Sequence, residues 1–408
     1  MTKRAALAAL TLAMLVPSLS TSIASGAAPT LAVAFDATFA QVQWVVLAYL
    51  VAVTALTVVA GHVGDTTGRK RLFLIGIALF GVMSAACAAA PTLGVLVAAR
   101  AGQGVGAAIM MALTVAFVGE AVPRERIGTA MGLLGTVSAV GTALGPPVGG
   151  ALITAFGWEA IFLLTVPLSA TAFVLAYRYL PDAPKAPRAR LSLEVLRDRA
   201  RATNLLLSAI ATTVLMSTLV VGPFYLTGAL GLDAAVVGAV MAAGPVVAAL
   251  GGLPAGRVVD RLGTRRTTAL GLGGMAAGCL ALATLPESLG VPGYVIPIVV
   301  ITGSFAQFQA ANSTEVVATA PATGRGAIAG MLALSRQVGL ILGTAAMGWV
   351  FTTAAGTSDI TGAAPGDVAD ALRTTFATGA ALVAGALLLA TVGRRTASPM
   401  GENVATRV

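Results

Sequence analysis

Long apolar runs separated by short polar breaks make up most of this chain. They fall at roughly 7–35, 40–61, 72–90, 92–118, 128–153 and 159–179, and again at roughly 203–226, 234–255, 267–286, 292–317, 326–351 and 371–393. The hydrocarbon core of a bilayer takes about 20 apolar residues per helix, so each run is long enough to cross a membrane. No stretch alternates apolar and polar residues as a barrel strand would, and helices then remain the way to satisfy the backbone in lipid. The pattern predicts an all-α membrane protein with twelve transmembrane helices in two pseudo-symmetric six-helix halves. The expected divisions are an N-terminal half at 1–179, a proline-rich polar linker at 180–201, a C-terminal half at 202–395 and a tail at 396–408.

Composition agrees with that pattern. Hydrophobic residues make up 57% and charged residues 10% of the 408 positions, and the mean hydropathy is +0.91; a soluble domain has about 25% charged residues. The formal charge of +9 follows the predicted topology. With a cytoplasmic N-terminus, the inward-facing segments hold Lys3, Arg4, Arg69 to Arg71, Arg124, Arg126, the bases between Arg178 and Arg201, Arg257, Arg261, Arg265, Arg266, Arg325, Arg394, Arg395 and Arg407, while the outward loops hold none. That is the positive-inside distribution. It implies a bacterial cell membrane protein with both termini cytoplasmic, and it accounts for the basic balance without nucleic acid.

Three further features fit a bundle. Trp44, Trp158 and Trp349 fall at predicted extracellular ends, where amphipathic rings anchor. Cys87 and Cys279 lie inside spans and read as small core residues. Lys3-Arg4, the run from Ala5 to Val16 and the small residues at Ser25 to Ala27 imitate a cleaved signal peptide, but cleavage would spoil the six-plus-six symmetry, so retention is expected.

Between the second and third runs lies Gly61-His62-Val63-Gly64-Asp65-Thr66-Thr67-Gly68-Arg69-Lys70-Arg71. Its Gly, Asp, Gly and Arg spacing recurs after the eighth run as Gly256, Asp260, Gly263, Arg265 and Arg266, each 195 positions later, an internal repeat. Glycines suit a tight turn with φ > 0, and the bases hold it in the cytosol. Asp65 has no local partner in the sequence, but an acid is well placed against the positive N-terminus of another helix.

These residues resemble the signature loop of the major facilitator superfamily, with Thr66 where that family usually carries a base. The resemblance implies that Asp65, with Gly61, Gly68, Arg69 and its repeat Asp260, latches the end of helix two to the start of helix eleven near Gly326. Leu96 to Ala108, which contains Arg100, Gln103 and the run Gly102-Gln103-Gly104-Val105-Gly106, is similar to the family's helix-four arginine motif. It also mimics a dinucleotide fingerprint, but no strand precedes it. Gly141 to Gly150, with Gly145, Pro146 and Gly149, resembles the helix-five signature of the drug:proton antiporter branch. It reads either as a hinge favouring export or as a plain packing groove. Leu19 to Pro29 is similar to that branch's helix-one pattern. The branch often has fourteen spans, and the linker at 180–201 leaves no room for two more.

Arg100 is the sharpest site candidate, since a guanidinium in the bilayer costs about 2.5–3.5 kcal/mol on insertion scales and marks a pathway or a partner. Arg336 in helix eleven follows the same logic. The expected cavity wall at mid-depth comprises Ser20, Thr21, Arg100, Gln103, Met110, Met216, Phe224, Tyr225, Met241, Phe305, Phe308, Gln309, Asn312, Arg336 and Gln337. The acid of the family's helix-one pattern aligns with Ser20; Glu315 in helix ten and Glu159 at the start of helix six are the acids near membrane depth. Glu315, which follows Gln309 and Asn312 on an apolar span, is the candidate proton-coupling group, while Glu159 also reads as an interface residue. Two buried bases and few acids favour a neutral or anionic amphiphile over a lipophilic cation. The resulting expectation is a monomeric, lipid-embedded antiporter without cofactor, driven by the proton gradient and exporting drugs or natural products. An uncoupled metabolite exporter is the alternative, followed by a membrane sensor. No catalytic triad, metal cluster or nucleotide loop points to an enzyme.

Overall fold

A computed structural model of the chain describes residues 2–121, 127–180, 199–284, 289–318 and 325–392. Among the described residues every regular element is helical, and twelve helices have the length and composition to cross a membrane. Helix α1 spans Thr2–Gly26 and continues past a kink at Ala27 as Ala28–Ala34; α2 is Phe39–Thr67, α3 Arg69–Ala88, α4 Leu93–Ala121 and α5 Ile127–Phe156. Helix α6 comprises Ala160–Leu163 and Thr165–Tyr179, and α7 is Arg199–Gly228. Helix α8 begins as Ala234–Met241 and passes through Ala242, still helical in its dihedrals, into the run Ala243–Thr284, which Gly263 (φ 77°) divides into the rest of α8, at 243–262, and α9, at 264–284. Helix α10 is Gly290–Ala318, α11 runs Arg325–Leu342, Gly343–Met347 in π-helical form and Gly348–Ala355, and α12 is Pro365–Val392.

Twelve crossings put residues 2 and 392 at the same end of the bundle, the near end; the turn after α1 lies at the far end. Helices α1–α6 pack against one another, and so do α7–α12. Residues 5–26 pack between α5 and α6 as part of the first group. The expected linker falls almost wholly outside the described residues, and the expected tail does so entirely.

The repeated sequence folds differently from the turn expected of it. Helix α2 continues through Gly61, Gly64 and Asp65 to Thr67, and only Gly68 (φ 99°) turns the chain into α3. A single glycine inside a helix costs about 1 kcal/mol, and the apolar stripe of α2 outweighs two of them, so the corner shrinks to one residue. Gly263 repeats this device between α8 and α9, while Gly61 and Gly256 are ordinary helical positions with open space beside them.

Small residues set how closely helices approach. A Cβ on Gly141, Gly145 or Gly149 would run into Leu15, Ser18, Ser22 or Ile23 of α1, and Ser18 shares a 2.7 Å hydrogen bond with Ser138. The second half repeats this seam: Gly339 and Gly343 of α11 abut Ala209 and Thr213 of α7, and the Thr213 hydroxyl donates to the Gly339 carbonyl at 3.2 Å. Such small-residue rows replace the hydrophobic drive that lipid removes. At the far end Trp44 and Trp349 are exposed, as interface anchors are. Trp158 instead packs its ring on Phe35, 5.1 Å away, and on Phe162, because α6 starts within reach of the α1 extension. Cys87 and Cys279 are buried and unbridged.

Candidate functional site

Arg100 sits on the third turn of α4, about 10 Å from its far end at 1.5 Å per residue. It is fully buried. Its Nε donates to the Val45 carbonyl at 2.9 Å and its Nη1 to Ser20 Oγ at 2.9 Å, with a second bond from Nη1 to Gln103 Oε1. The guanidinium lies 4.2 Å from the centroid of the Tyr49 ring. Two supports fix this arrangement: Gln103 donates to Ser84 Oγ at 2.7 Å, and the Tyr49 hydroxyl donates to the Pro17 carbonyl at 3.1 Å. Four helices, α1 to α4, thus converge on one cation. Among the described residues no carboxylate pairs with it, and Nη2 is buried without a hydrogen-bond partner. Ser20 stands where the resembled helix-one pattern carries an acid, so a hydroxyl and an aromatic face substitute for a negative charge. Tyr49 was not evident from the sequence, although a tyrosine inside an apolar span, one of five in the chain, was the available signal.

The two halves meet at the far end. Phe39 of α2 packs edge-on against Phe224 of α7 at 4.6 Å and lies 5.4 Å from Phe351 of α11; all three rings are buried. Gln43 Nε2 donates to the Thr344 carbonyl at 2.7 Å. The wider winding of the π-helical turn frees carbonyls from the α-helical ladder, as such turns do at functional positions. The Phe39 amide donates to the Ser358 carbonyl at 3.2 Å. On the other flank α5 meets α8 backbone to backbone: a Cβ on Gly150 would overlap the Ala234 carbonyl, and one on Gly238 the Pro146 carbonyl. The helix-five signature therefore has two faces, Gly145 and Gly149 toward α1 in their own half and Pro146 and Gly150 toward α8 in the other.

The other candidates do not gather around one mid-depth cavity. Phe224 belongs to the far-end seal, and Tyr225 stacks on Tyr294 one turn from that end, 5.8 Å between centroids. Ser20, Arg100 and Gln103 are enclosed within the first half, and Met110, Met216 and Phe308 are fully packed core, since small residues on adjoining helices let the backbones close around them. Asn312 is buried and donates to the Asn204 carbonyl at 3.2 Å. Glu315 lies in the last turn of α10 at the near end, with one carboxylate oxygen buried. Gln309 and Arg336 are half-buried, and Arg336 has no hydrogen bond or ion pair among the described residues. Asp260 is exposed at the near end; the side chain of Asp65 and the surroundings of Gly326 lie outside the described residues, so the expected latch does too. Gly68 and Arg69 are half-buried at the corner itself.

Two six-helix groups sealed together at one end around aromatic rings, with a buried cation beneath, have the architecture of a membrane transporter. The chain belongs to the Major Facilitator Superfamily, whose sequence profile matches residues 10–344. It is 26% identical over 377 residues to the riboflavin transporter RibZ of Clostridioides difficile (79% of this chain, 83% of that protein). It is 28% identical over 408 aligned positions to the multidrug efflux pump LfrA of Mycolicibacterium smegmatis (85% and 80%). Among solved structures, a bacterial homologue of the human lysosomal transporter Spinster, in an inward-facing and occupied conformation, superposes with a TM-score of 0.81 at 17% identity, covering 96% of both chains.

Proposed function

We propose that this chain exports small amphiphilic molecules, neutral or anionic, across the bacterial cell membrane by alternating access, with the proton gradient as energy source. On this reading the near end, where the basic residues of the sequence gather, is the cytoplasmic end, and the far-end seal closes the outer side of the pathway. The observation that carries the reading is the Arg100 network: a fully buried guanidinium compensated by a hydroxyl, two carbonyl-type oxygens and a ring, but by no acid. Although enclosed, a positive charge without a countercharge acts at a distance through a low-dielectric bundle, disfavouring cations and tolerating neutral or acidic substrates. The similarity to LfrA supports efflux of drug-like compounds, and that to RibZ keeps a specific metabolite within the same architecture.

A second reading, export without proton coupling, is favoured by one feature. Among the described residues no aspartate or glutamate is fully buried, whereas a coupling acid is usually held away from bulk water so that its proton competes with substrate. Inverted vesicles with an imposed pH gradient separate the two. Gradient-driven export of an acidic fluorescent dye that is lost in Glu315→Gln supports coupling through Glu315; export indifferent to gradient and substitution supports the uncoupled reading. Preferred export of a quaternary ammonium dye contradicts the substrate class.

A further inference from the structure

Directly toward the near end from the α5–α8 contact lies a cleft of about 80 Å³. Thr142 of the first half closes one side, and Leu215, Met241, Pro245, Ala248 and Ile298 of the second half form most of the rest. It lies beside Pro245, which has no amide hydrogen to give the Met241 carbonyl, and just short of the place where Gly238 meets α5. The sequence places four hydroxyl residues on this wall, Thr142, Thr218, Tyr294 and Thr302. Three of them point their hydrogens elsewhere. Thr142 donates to the Ser138 carbonyl at 3.0 Å, Thr218 to the Leu215 carbonyl at 2.7 Å and Tyr294 to the Thr218 carbonyl at 3.3 Å. Apart from the Thr302 hydroxyl beside Gly244, the surface that faces the cleft is almost wholly apolar.

We infer that this cleft is a subsite for the uncharged hydrocarbon portion of the transported molecule. This rests on the exporter reading above, and adds to it where the apolar part of the substrate sits. Apolar walls offer such a group burial and offer a charge nothing. Its volume suits a small branched alkyl group or the edge of one ring. Its position matters as much as its chemistry. Pro146 and Gly150, one and two turns beyond Thr142 on α5, make the backbone contact with Gly238 and Ala234, so the cleft is roofed by an interhalf contact that must part for the far end to open. An occupant touching Thr142 on one side and Met241 on the other is handed from one face to the other as that roof opens. Thioethers such as Met241 repack around varied shapes, which fits a family of related hydrocarbon groups.

The test uses the purified full chain and a neutral probe, N-phenyl-1-naphthylamine, whose fluorescence rises in apolar surroundings. Binding to the wild type is saturable, and the series Ala248→Val, Ala248→Leu, Ala248→Phe weakens it progressively. The last step loses about tenfold or more in affinity, the scale set by a few methylenes in an apolar pocket. Thermal melting and monodispersity in detergent confirm that each variant is folded, and the valine variant, the mildest filling, keeps the series readable if the phenylalanine variant is not. Equal affinity across the folded series, or no saturable binding to wild type, overturns the inference and leaves the cleft a lipid-filled crevice. Export of 8-anilinonaphthalene-1-sulfonate from vesicles carrying the same wild-type protein reads the exporter proposal separately. A chain that moves this anion yet binds the neutral probe equally in every variant has lost the subsite and kept the function.

Discussion

At the scale of single residues the unusual group is Arg100, because burying a guanidinium without an acid is costly and this chain does it with a hydroxyl, a carbonyl, an amide and a tyrosine ring. A cation over an aromatic face contributes about 2 kcal/mol or more when desolvated, which offsets part of the missing charge. Ser20 is 2.9 Å from Nη1, so a carboxylate there would pair with it directly. Ser20→Asp is expected to neutralise the site and shift preference toward cationic dyes, measured as the ratio of ethidium to anilinonaphthalene sulfonate export; an unchanged ratio in a well-inserted variant would mean that Arg100 does not set charge selectivity. Arg100 itself was legible from the sequence, as a charge in an apolar run. Its partners Ser20 and Gln103 were also among the candidates, but Tyr49 and Val45 were not: they come from another helix, and which faces of α2 and α4 meet depends on Gly104 admitting the Tyr49 backbone, a packing fact that no local pattern carries.

At the scale of helices, the twelve apolar runs were readable because bilayer thickness leaves few alternatives for a 20-residue apolar segment. Their ends were less so. The polar composition of Gly61 to Arg71 suggested a loop, yet helix continues through most of it, since in a helix flanked by neighbours two glycines are cheaper than an open turn with unpaired backbone groups. The π-helical turn at Gly343 to Met347 leaves no trace in composition, and it supplies the carbonyl that Gln43 reaches. Helix α5 offers a direct contrast between its two faces. Gly145→Ala crowds Ser22 and Ile23 within one half and is expected to lower thermal stability by about 1–3 kcal/mol, the usual range for overpacking. Gly150→Ala crowds the Ala234 carbonyl across the interface, and is expected to leave the melting temperature nearly unchanged while raising labelling of a Phe39→Cys reporter, because it penalises only the sealed state. Equal effects on stability from both would show that the α5–α8 contact does not report on conformation.

At the scale of the whole molecule, two halves related by an internal repeat hold a seal at one end. The named contacts between them, from Phe39, Gln43, Gly150 and Gly238, all lie at that end. The repeat was visible as the matched glycines and acids 195 positions apart; the seal was not, since Phe39, Phe224 and Phe351 are far apart in sequence and look like any other apolar residue. Alternating access requires these contacts to break and re-form in every cycle, which makes the seal the place to test it. The most direct measurement is dye export by the Phe39→Cys, Phe351→Cys double variant before oxidation, after disulfide formation and after reduction, with Cys87 and Cys279 buried and therefore poor competitors. Export that stops when the far end is cross-linked and returns on reduction is the expected result; export that continues at full rate through a quantitatively cross-linked seal would contradict alternating access through this end.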